Sequence, residues 1–106
     1  MNDKILIIAN GPSLLQYKFG NQIDKFKNIA RINNYKIDGF DEYIGKKTSI
    51  WFNGGNQNLS IPNIMPEKII VFVPYDLQNK NLKKIQLRTS QRLKLNQEKY
   101  NLISKD

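Results

Sequence analysis

The sequence predicts an α/β fold, in which helices flank both faces of a mainly parallel β-sheet. Residues 4–9 and 68–73 are each a lysine followed by a continuous apolar run, which is typical of strands that are buried on both faces. Helix-like segments alternate with these runs, and the longest of them covers residues 81–95. With 106 residues, the chain has room for one domain with a single core.

The N-terminal half alternates strand and helix signals. The first strand, at residues 4–9, leads into a turn-forming Asn-Gly-Pro-Ser sequence. Residues 14–26 suit a helix at their end, with an interruption at Gly20 and with Ile23 and Phe26 facing the sheet. A short second strand is expected at residues 28–32. A helical turn at 41–44, closed by Gly45, follows it.

The C-terminal half repeats this alternation. The β-branched and aromatic residues 48–52 predict a third strand, which ends at the polar residues 53–56. Residues 68–73 give the strongest strand signal, and Pro74 ends it. Residues 81–95 predict a helix, and residues 100–104 suit either a last short strand or the end of a helix.

The composition excludes several classes of site. The chain has no cysteine, so it has no disulfide and no thiolate metal site. It also has no histidine, which is the commonest general base and metal ligand. We find no apolar stretch long enough to span a bilayer and no signal-peptide pattern, so the expected location is the cytoplasm.

The net charge of +8 is concentrated in the last quarter of the chain, where residues 78–106 carry eight basic and two acidic side chains. Such a tail can bind nucleic acid, an anionic lipid surface or a phosphate group. The alternative is a solvated helix face in a lysine-rich protein. We favour that alternative, because no aromatic residue is interleaved with the basic ones before Tyr100.

The loop after the first strand is a candidate phosphate site. Gly11 allows a close approach to the main chain, and Ser13 can cap a following helix, whose N-terminus attracts anions. The loop matches neither the P-loop nor the dinucleotide fingerprint. Many α/β domains begin with a similar strand, turn and helix that bind nothing.

Asparagines follow three of the predicted strands: Asn10 the first, Asn33 and Asn34 the second, and Asn53 the third. Ligands of open α/β sheets bind outside the carboxyl ends of the strands, so we expect these side chains to meet in one crevice. An amide both donates and accepts hydrogen bonds, and it can therefore read hydroxyl groups, a carboxylate or a base edge. The alternative is that asparagine simply favours turns.

Three motifs in this order resemble the N-terminal part of sialyltransferases. They are N-G-P-S at residues 10–13, R-x-N at 31–33, and G-x-x-x-x-x-G-x-K-T at 39–48. Both the bacterial lipooligosaccharide enzymes and the animal-type family with its large sialyl motif have such an order (glycosyltransferase family 29 or 42). The similarity covers about residues 4–75.

The resemblance implies a Rossmann-like domain that uses no metal and no further cofactor. Residues 1–77 would form the nucleotide-sugar-binding half, and 78–106 a basic, mainly helical segment of the same domain. The donor CMP-sialic acid would contact seven residues: Asn10, Gly11, Pro12, Ser13, Asn33, Asn34 and Asn53. Within this set, the loop at 10–13 would hold the phosphate and ribose, Asn33 the nucleotide, and Asn53 would lie near the transferred sugar.

A second group of motif residues is expected to be structural: Arg31, Gly39, Gly45 and Thr48. Arg31 would fix a strand or loop by hydrogen bonds, and the segment 39–45 would shape the turn into the third strand.

The sequence departs from these families in one important respect. Their general base is a histidine that lies beyond the point where this chain ends, and this chain contains no histidine. We therefore assign no catalytic residue, and we expect a donor-binding half that transfers sialic acid to a glycan acceptor only when completed.

Two alternatives remain: a non-catalytic nucleotide-binding or sugar-binding module, and a basic binder of nucleic acid or anionic surfaces. Partners would be a nucleotide sugar, a glycan acceptor, and either a second copy or the missing C-terminal half, with peripheral membrane contact through the basic tail.

Overall fold

The computed structural model describes residues 4–73 and 81–104. These residues form one five-stranded sheet in which every pairing is parallel. The predicted α/β, Rossmann-like fold with a mainly parallel sheet is therefore confirmed. The strands are β1 (Ile5–Ile8), β2 (Asn28–Ile32), β3 (Ile50–Asn53), β4 (Lys68–Val73) and β5 (Asn101–Ser104). The helices are α1 (Gly20–Asp24), α2 (Asp41–Ile44) and α3 (Leu82–Leu93), with 3₁₀ turns at Pro12–Leu15 and Gln97–Lys99.

Most of the predicted elements are present, with small differences at their ends. The bounds of β2, α2 and β4 agree with the sequence prediction, and residues 100–104 contain a strand rather than a helix end. The side chain of Asn81 caps α3 by accepting a hydrogen bond from Lys84 N. The helix ends before the predicted residue 95 because Lys94 adopts a left-handed conformation. Pro74, which was expected to end β4, lies outside the described residues.

The helix predicted toward the end of residues 14–26 is present as the five-residue α1, which is shorter than the pattern indicates. A 3₁₀ turn at Pro12–Leu15 precedes it. Gly20 begins α1 at a close approach to α2, where an added Cβ would overlap the carbonyl oxygen of Asp41. Phe26 is exposed rather than packed on the sheet.

The main core lies on one face of the sheet. Trp51 of β3 and three alternate residues of β4 pack there against α3, which contributes Ile85 and Leu93. The alternate residues of β4 are Ile69, Val71 and Val73. Arg31 of β2 lies in the same register row as Trp51, and it hydrogen-bonds to the end of α2. Because α1 packs on α2, all three helices contact this face of the sheet either directly or through one another. We call it the helical face.

The opposite face is partly exposed, so the expectation that helices cover both faces is wrong for the described residues. Ile5 and Ile7 of β1 and Phe72 of β4 point to this side and are exposed. The strand order explains the asymmetry, because the strands follow one another across the sheet in chain order. Crossovers between parallel strands are almost always right-handed, so successive steps in one direction place every crossover on the same face.

The same strand order means that the described sheet has no point at which the order of strands reverses. Ligand crevices of α/β sheets usually lie at such a point. Here the loops that follow the strands must form any crevice. Within residues 4–73 and 81–104, no helix combines the length and apolar character needed to cross a bilayer.

Candidate functional site

Three of the predicted asparagines converge at the carboxyl edge of the sheet. Asn10 follows β1, and Asn33 and Asn34 follow β2; together they line a cavity of about 380 Å³. The other wall of this cavity is the segment Asn56, Gln57, Asn58 and Leu59. Sequence reasoning missed this wall, since residues 54–67 show no helix or strand periodicity.

A second, smaller cavity of about 230 Å³ adjoins the first. Asn33 and Asn56 line both cavities, whereas Asn53 lines only the smaller one. The apolar lining of the smaller cavity includes Phe52 and Phe72. The four predicted asparagines therefore occupy two neighbouring cavities rather than a single crevice.

Hydrogen bonds of Asn10 and Asn34 fix the shape of the larger cavity. Asn10 Nδ2 donates to Ile32 O at 2.6 Å, which joins the ends of β1 and β2. Asn34 Oδ1 accepts from Ser60 N at 2.7 Å, and its Nδ2 donates to Asn58 O at 3.3 Å. These side chains thus hold the loops together, as the turn-forming alternative expects, and they are also exposed to solvent at the cavity.

Asn33 has an unusual main-chain conformation. Its φ of 51° lies in the left-handed region, which asparagine tolerates better than most residues. Its carbonyl oxygen accepts from Trp51 Nε1 at 2.8 Å, and its Oδ1 accepts from Gly54 N at 3.2 Å. The strand end therefore has a fixed geometry, and the exposed Asn33 side chain is held beside both cavities.

Asn53 differs from the other asparagines because it is buried. Its Oδ1 accepts from Gly55 N at 2.9 Å, but its Nδ2 has no hydrogen-bond partner among the described residues. Gly55 is held in turn by Arg92 of α3, whose Nη1 donates to its carbonyl oxygen at 2.8 Å. A buried amide donor without a partner is uncommon in folded proteins, so Asn53 Nδ2 is a donor at this edge that the described residues do not satisfy.

The loop at residues 10–13 is exposed and open. Ser13 does not cap a helix, which corrects the sequence prediction: it lies inside the 3₁₀ turn, and Gly11 precedes that turn without any side-chain cap. With only four residues in the turn, the macrodipole of a long helix is not available here. A Cβ added at Gly11 would meet only Ser13 Oγ, at 3.9 Å, so packing does not require glycine and the space beside it is free.

Arg31 is buried and takes part in four hydrogen bonds on the helical face. Its Nε donates to Thr48 Oγ1 at 2.9 Å and to Lys47 O at 3.1 Å. Its Nη2 donates to Lys47 O at 2.8 Å and to Ile44 O at 2.9 Å. Burial lowers the pKa of Arg31, while Tyr35 and Asp24 act to raise it. Through these contacts Arg31 supports the turn at residues 44–48, and it lines neither of the two cavities.

Other motif residues shape that same turn. Gly45 has a φ of 77°, and a Cβ at this position would clash with the carboxylate of Asp24. Gly39 also has a positive φ, of 85°, with open space around it. Thr48 Oγ1 accepts a hydrogen bond from Arg31 Nε. Burial is the largest influence on Tyr35 and raises its pKa.

Asp24 is a structural residue that sequence reasoning missed. Its carboxylate accepts hydrogen bonds from Lys46 N and Lys47 N at 3.0 Å. The contact joins the last residue of α1 to a turn more than twenty residues away, so no local pattern indicates it. Among the described residues, no cluster of three acidic side chains could hold a metal ion.

Comparison with known proteins finds similarity in the N-terminal part of the chain, which contains the residues at this edge of the sheet. A model of glycosyltransferase family 29 (sialyltransferase) matches residues 4–59, which is more than half of the chain. The chain is 36% identical over 50 residues to the beta-1,6-galactosyltransferase GALT29A of Arabidopsis thaliana, a match that covers 47% of this chain and 13% of the relative. It is 37% identical over 43 residues to sialyltransferase-like protein 2 of the same plant, covering 41% of this chain and 10% of the relative. The chain thus corresponds to only a small part of the length of these relatives, and no solved structure matches it at a significant level.

Proposed function

The chain belongs to glycosyltransferase family 29, and we propose that it binds the nucleotide of CMP-sialic acid as the donor-binding part of a sialyltransferase-like enzyme. The observation that carries this proposal is the convergence of Asn10, Asn33 and Asn34 on one cavity outside the carboxyl ends of β1 and β2. The family match covers all three residues and the segment 56–59 that forms the opposite wall.

The chemistry of the cavity suits a nucleotide. Its volume of about 380 Å³ lies in the range of small-molecule sites, roughly 300–1,000 Å³. Six of its seven lining residues have amide side chains, which can pair with the donors and acceptors of a base and with ribose hydroxyl groups. The free space beside Gly11 allows a phosphate to approach the main-chain amides of the loop.

The same lining argues against transfer by this chain alone. General acid–base catalysis needs a titratable group within hydrogen-bond reach of the reacting hydroxyl. Neither of the two cavities is lined by such a group. We therefore propose that the described region binds the donor, and that a further polypeptide segment supplies the base and the acceptor site.

The identity of the sugar donor is the open part of the proposal. One relative is named as a galactosyltransferase and the other as sialyltransferase-like, so membership of the family does not by itself fix the donor. A comparison of cytidine and uridine nucleotides addresses this directly, because the two pyrimidines differ at the base edge that an amide would read.

The test is an amide NMR titration of the whole chain with CMP, with UMP and AMP as competing nucleotides. We expect saturable, CMP-selective shifts at Asn10, Gly11, Ser13 and Asn33. Selective shifts with UMP would reassign the donor. The absence of selective shifts in a folded sample would contradict donor binding and leave the family similarity as a record of ancestry.

The informative variant is Asn33→Asp, which keeps the acceptor for Gly54 N but replaces the amide donor at the cavity with a negative charge, which an anionic nucleotide repels. We expect CMP affinity to fall at least tenfold, since one lost hydrogen bond and a new repulsion together account for that factor. Asn63→Asp adds the same charge at an exposed position outside both cavities, and it should leave the affinity unchanged.

Two other functions give different results in the same titration. A non-catalytic nucleotide-binding or sugar-binding module would show the same shifts, yet it would never support transfer when combined with a longer relative. A basic binder of nucleic acid would act through the segment 78–106, so its binding would weaken steeply with salt and would survive Asn33→Asp.

A further inference from the structure

The face of the sheet opposite the helices is an apolar surface, which we call the open face. It is formed by the strand residues that alternate with the core residues. Its large apolar members are Ile5, Ile7, Ile32, Phe52, Ile70, Phe72 and Ile103, together with Ile50, which is buried. All-parallel sheets are normally covered on both faces. The described helices all connect to the other face, so a cover for this one has to come from elsewhere.

The exposed area of this face matches that of the largest apolar patches on monomers, which are often functional. Four of its residues, Ile5, Ile7, Phe72 and Ile103, are exposed by 52%, 61%, 45% and 42%. A free side chain of this size presents roughly 200 Å², so these four expose about 400 Å² of apolar surface, within the 300–600 Å² of the largest patches on monomers. Ile32, Phe52 and Ile70 are half-buried and fill the space between them.

We propose that the open face is the interface of a homodimer, in which a second copy of this chain packs its own open face against it. A standard interface buries about 800 Å² per partner, of which roughly 55–65% is apolar. The four exposed side chains and their half-buried neighbours supply about that apolar area. The inference does not depend on the proposed nucleotide site.

A second copy suits this surface better than a charged partner does. Among the described strand residues, Lys68 is the one charged side chain on the open face, and it lies at the opposite end of β4 from Phe72. A two-fold axis brings the same patch of each copy together, so an uncharged apolar face meets an equally apolar face. Two sheets that pack in this way interdigitate their side chains at a separation of about 10 Å.

The net charge of the chain allows salt dependence to distinguish a homodimer from a complex with an acidic partner. Each copy carries a net charge of +8, so the two copies repel each other at low ionic strength. Dimerisation through an apolar face should therefore strengthen when salt is added. Capture of an acidic partner, or of nucleic acid, would instead weaken with salt.

The experiment is sedimentation equilibrium of the whole chain at two salt concentrations, with face and control variants. We expect a monomer–dimer equilibrium in which Phe72→Thr and Ile7→Thr each weaken association at least tenfold, because the two-fold axis removes each apolar group twice. Threonine keeps the β-branched shape that suits a strand. Ile64→Thr removes an apolar side chain that is 87% exposed outside the sheet, and it should change nothing.

An independent measurement covers the case in which a face variant unfolds. In a mixture of differently labelled wild-type copies, isotope-filtered NOEs should join methyl groups on the open face of one copy to side chains on the open face of the other copy. Two results would overturn the proposal: a folded wild-type chain that remains monomeric at roughly 100 µM, a concentration at which even weak dimers populate, or a dimer whose stability and NOEs do not involve these residues.

Discussion

Replacement of the buried Arg31 by lysine tests whether this motif residue supports the fold or contacts the donor. The guanidinium serves three acceptors at once, namely the carbonyl oxygens of Ile44 and Lys47 and the hydroxyl of Thr48. An ammonium group is a point donor on a differently shaped side chain and cannot reproduce this planar set of contacts. Arg31→Lys should therefore leave about two acceptors without a partner.

The magnitude follows from those lost contacts. A buried acceptor that loses its partner costs about 1–3 kcal/mol. For two acceptors we expect the free energy of unfolding to fall by about 2–6 kcal/mol, a large fraction of the 5–15 kcal/mol that is typical of a whole domain. The main-chain amides of residues 45–48 should also exchange with solvent faster, because the turn they form loses its internal support.

Urea unfolding followed by fluorescence of Trp51 measures the stability, and amide hydrogen exchange locates the effect. Lys25→Met, which replaces an exposed cation, serves as the control and should change the stability by less than about 0.5 kcal/mol. CMP affinity of the folded Arg31→Lys protein should equal that of the wild type. A loss of stability below about 1 kcal/mol, or a selective loss of CMP binding without destabilisation, would refute the structural role.

The remaining predictions concern packing and pH. Gly20→Ala places a Cβ against the carbonyl oxygen of Asp41 and should lower the stability by about 1–3 kcal/mol in urea unfolding, through separation of α1 from α2; a neutral result would show that these helices do not approach so closely. Burial raises the pKa of Tyr35 above its ordinary value of 10.0, so the folded state favours the protonated phenol. The contribution of the protonated Tyr35 to the free energy of unfolding is fully present below pH 10, and it is lost as the pH rises through the higher pKa of the folded state. Wild type should therefore lose more stability than Tyr35→Phe between pH 9 and 11 in parallel urea titrations, and equal losses would contradict the assignment.

The sequence predicts best those features that depend on neighbouring residues. The bounds of β2, β4 and α2 follow from local hydrophobic patterns and from Gly45 at the end of a turn. The helix predicted toward the end of residues 14–26 is shorter in the structure, because the local pattern does not reveal the close approach of Gly20 to α2. The burial of β1 was wrong for a related reason, since the order of strands decides which faces are covered and local patterns do not reveal that order.

In the candidate site, too, some features could be predicted from local sequence patterns, and others depend on contacts between distant segments. The meeting of Asn10, Asn33 and Asn34 could be predicted because parallel strands bring their carboxyl ends to one edge. The wall at residues 56–59 and the contact of Asp24 with the turn at 46–47 could not, because both join segments that are distant in the chain and carry no periodic signal.

The two cavities differ in their dependence on the open face, and this difference separates the two proposals. No lining residue of the larger cavity belongs to the open face, so the proposed nucleotide site is complete in a single copy. The smaller cavity is lined by Ile32, Phe52 and Phe72, which all lie on that face, so whatever covers the face also covers this cavity. CMP binding that is unchanged by Phe72→Thr would therefore place the nucleotide in the larger cavity. Coupling between CMP binding and dimerisation would show that the ligand extends into the smaller one.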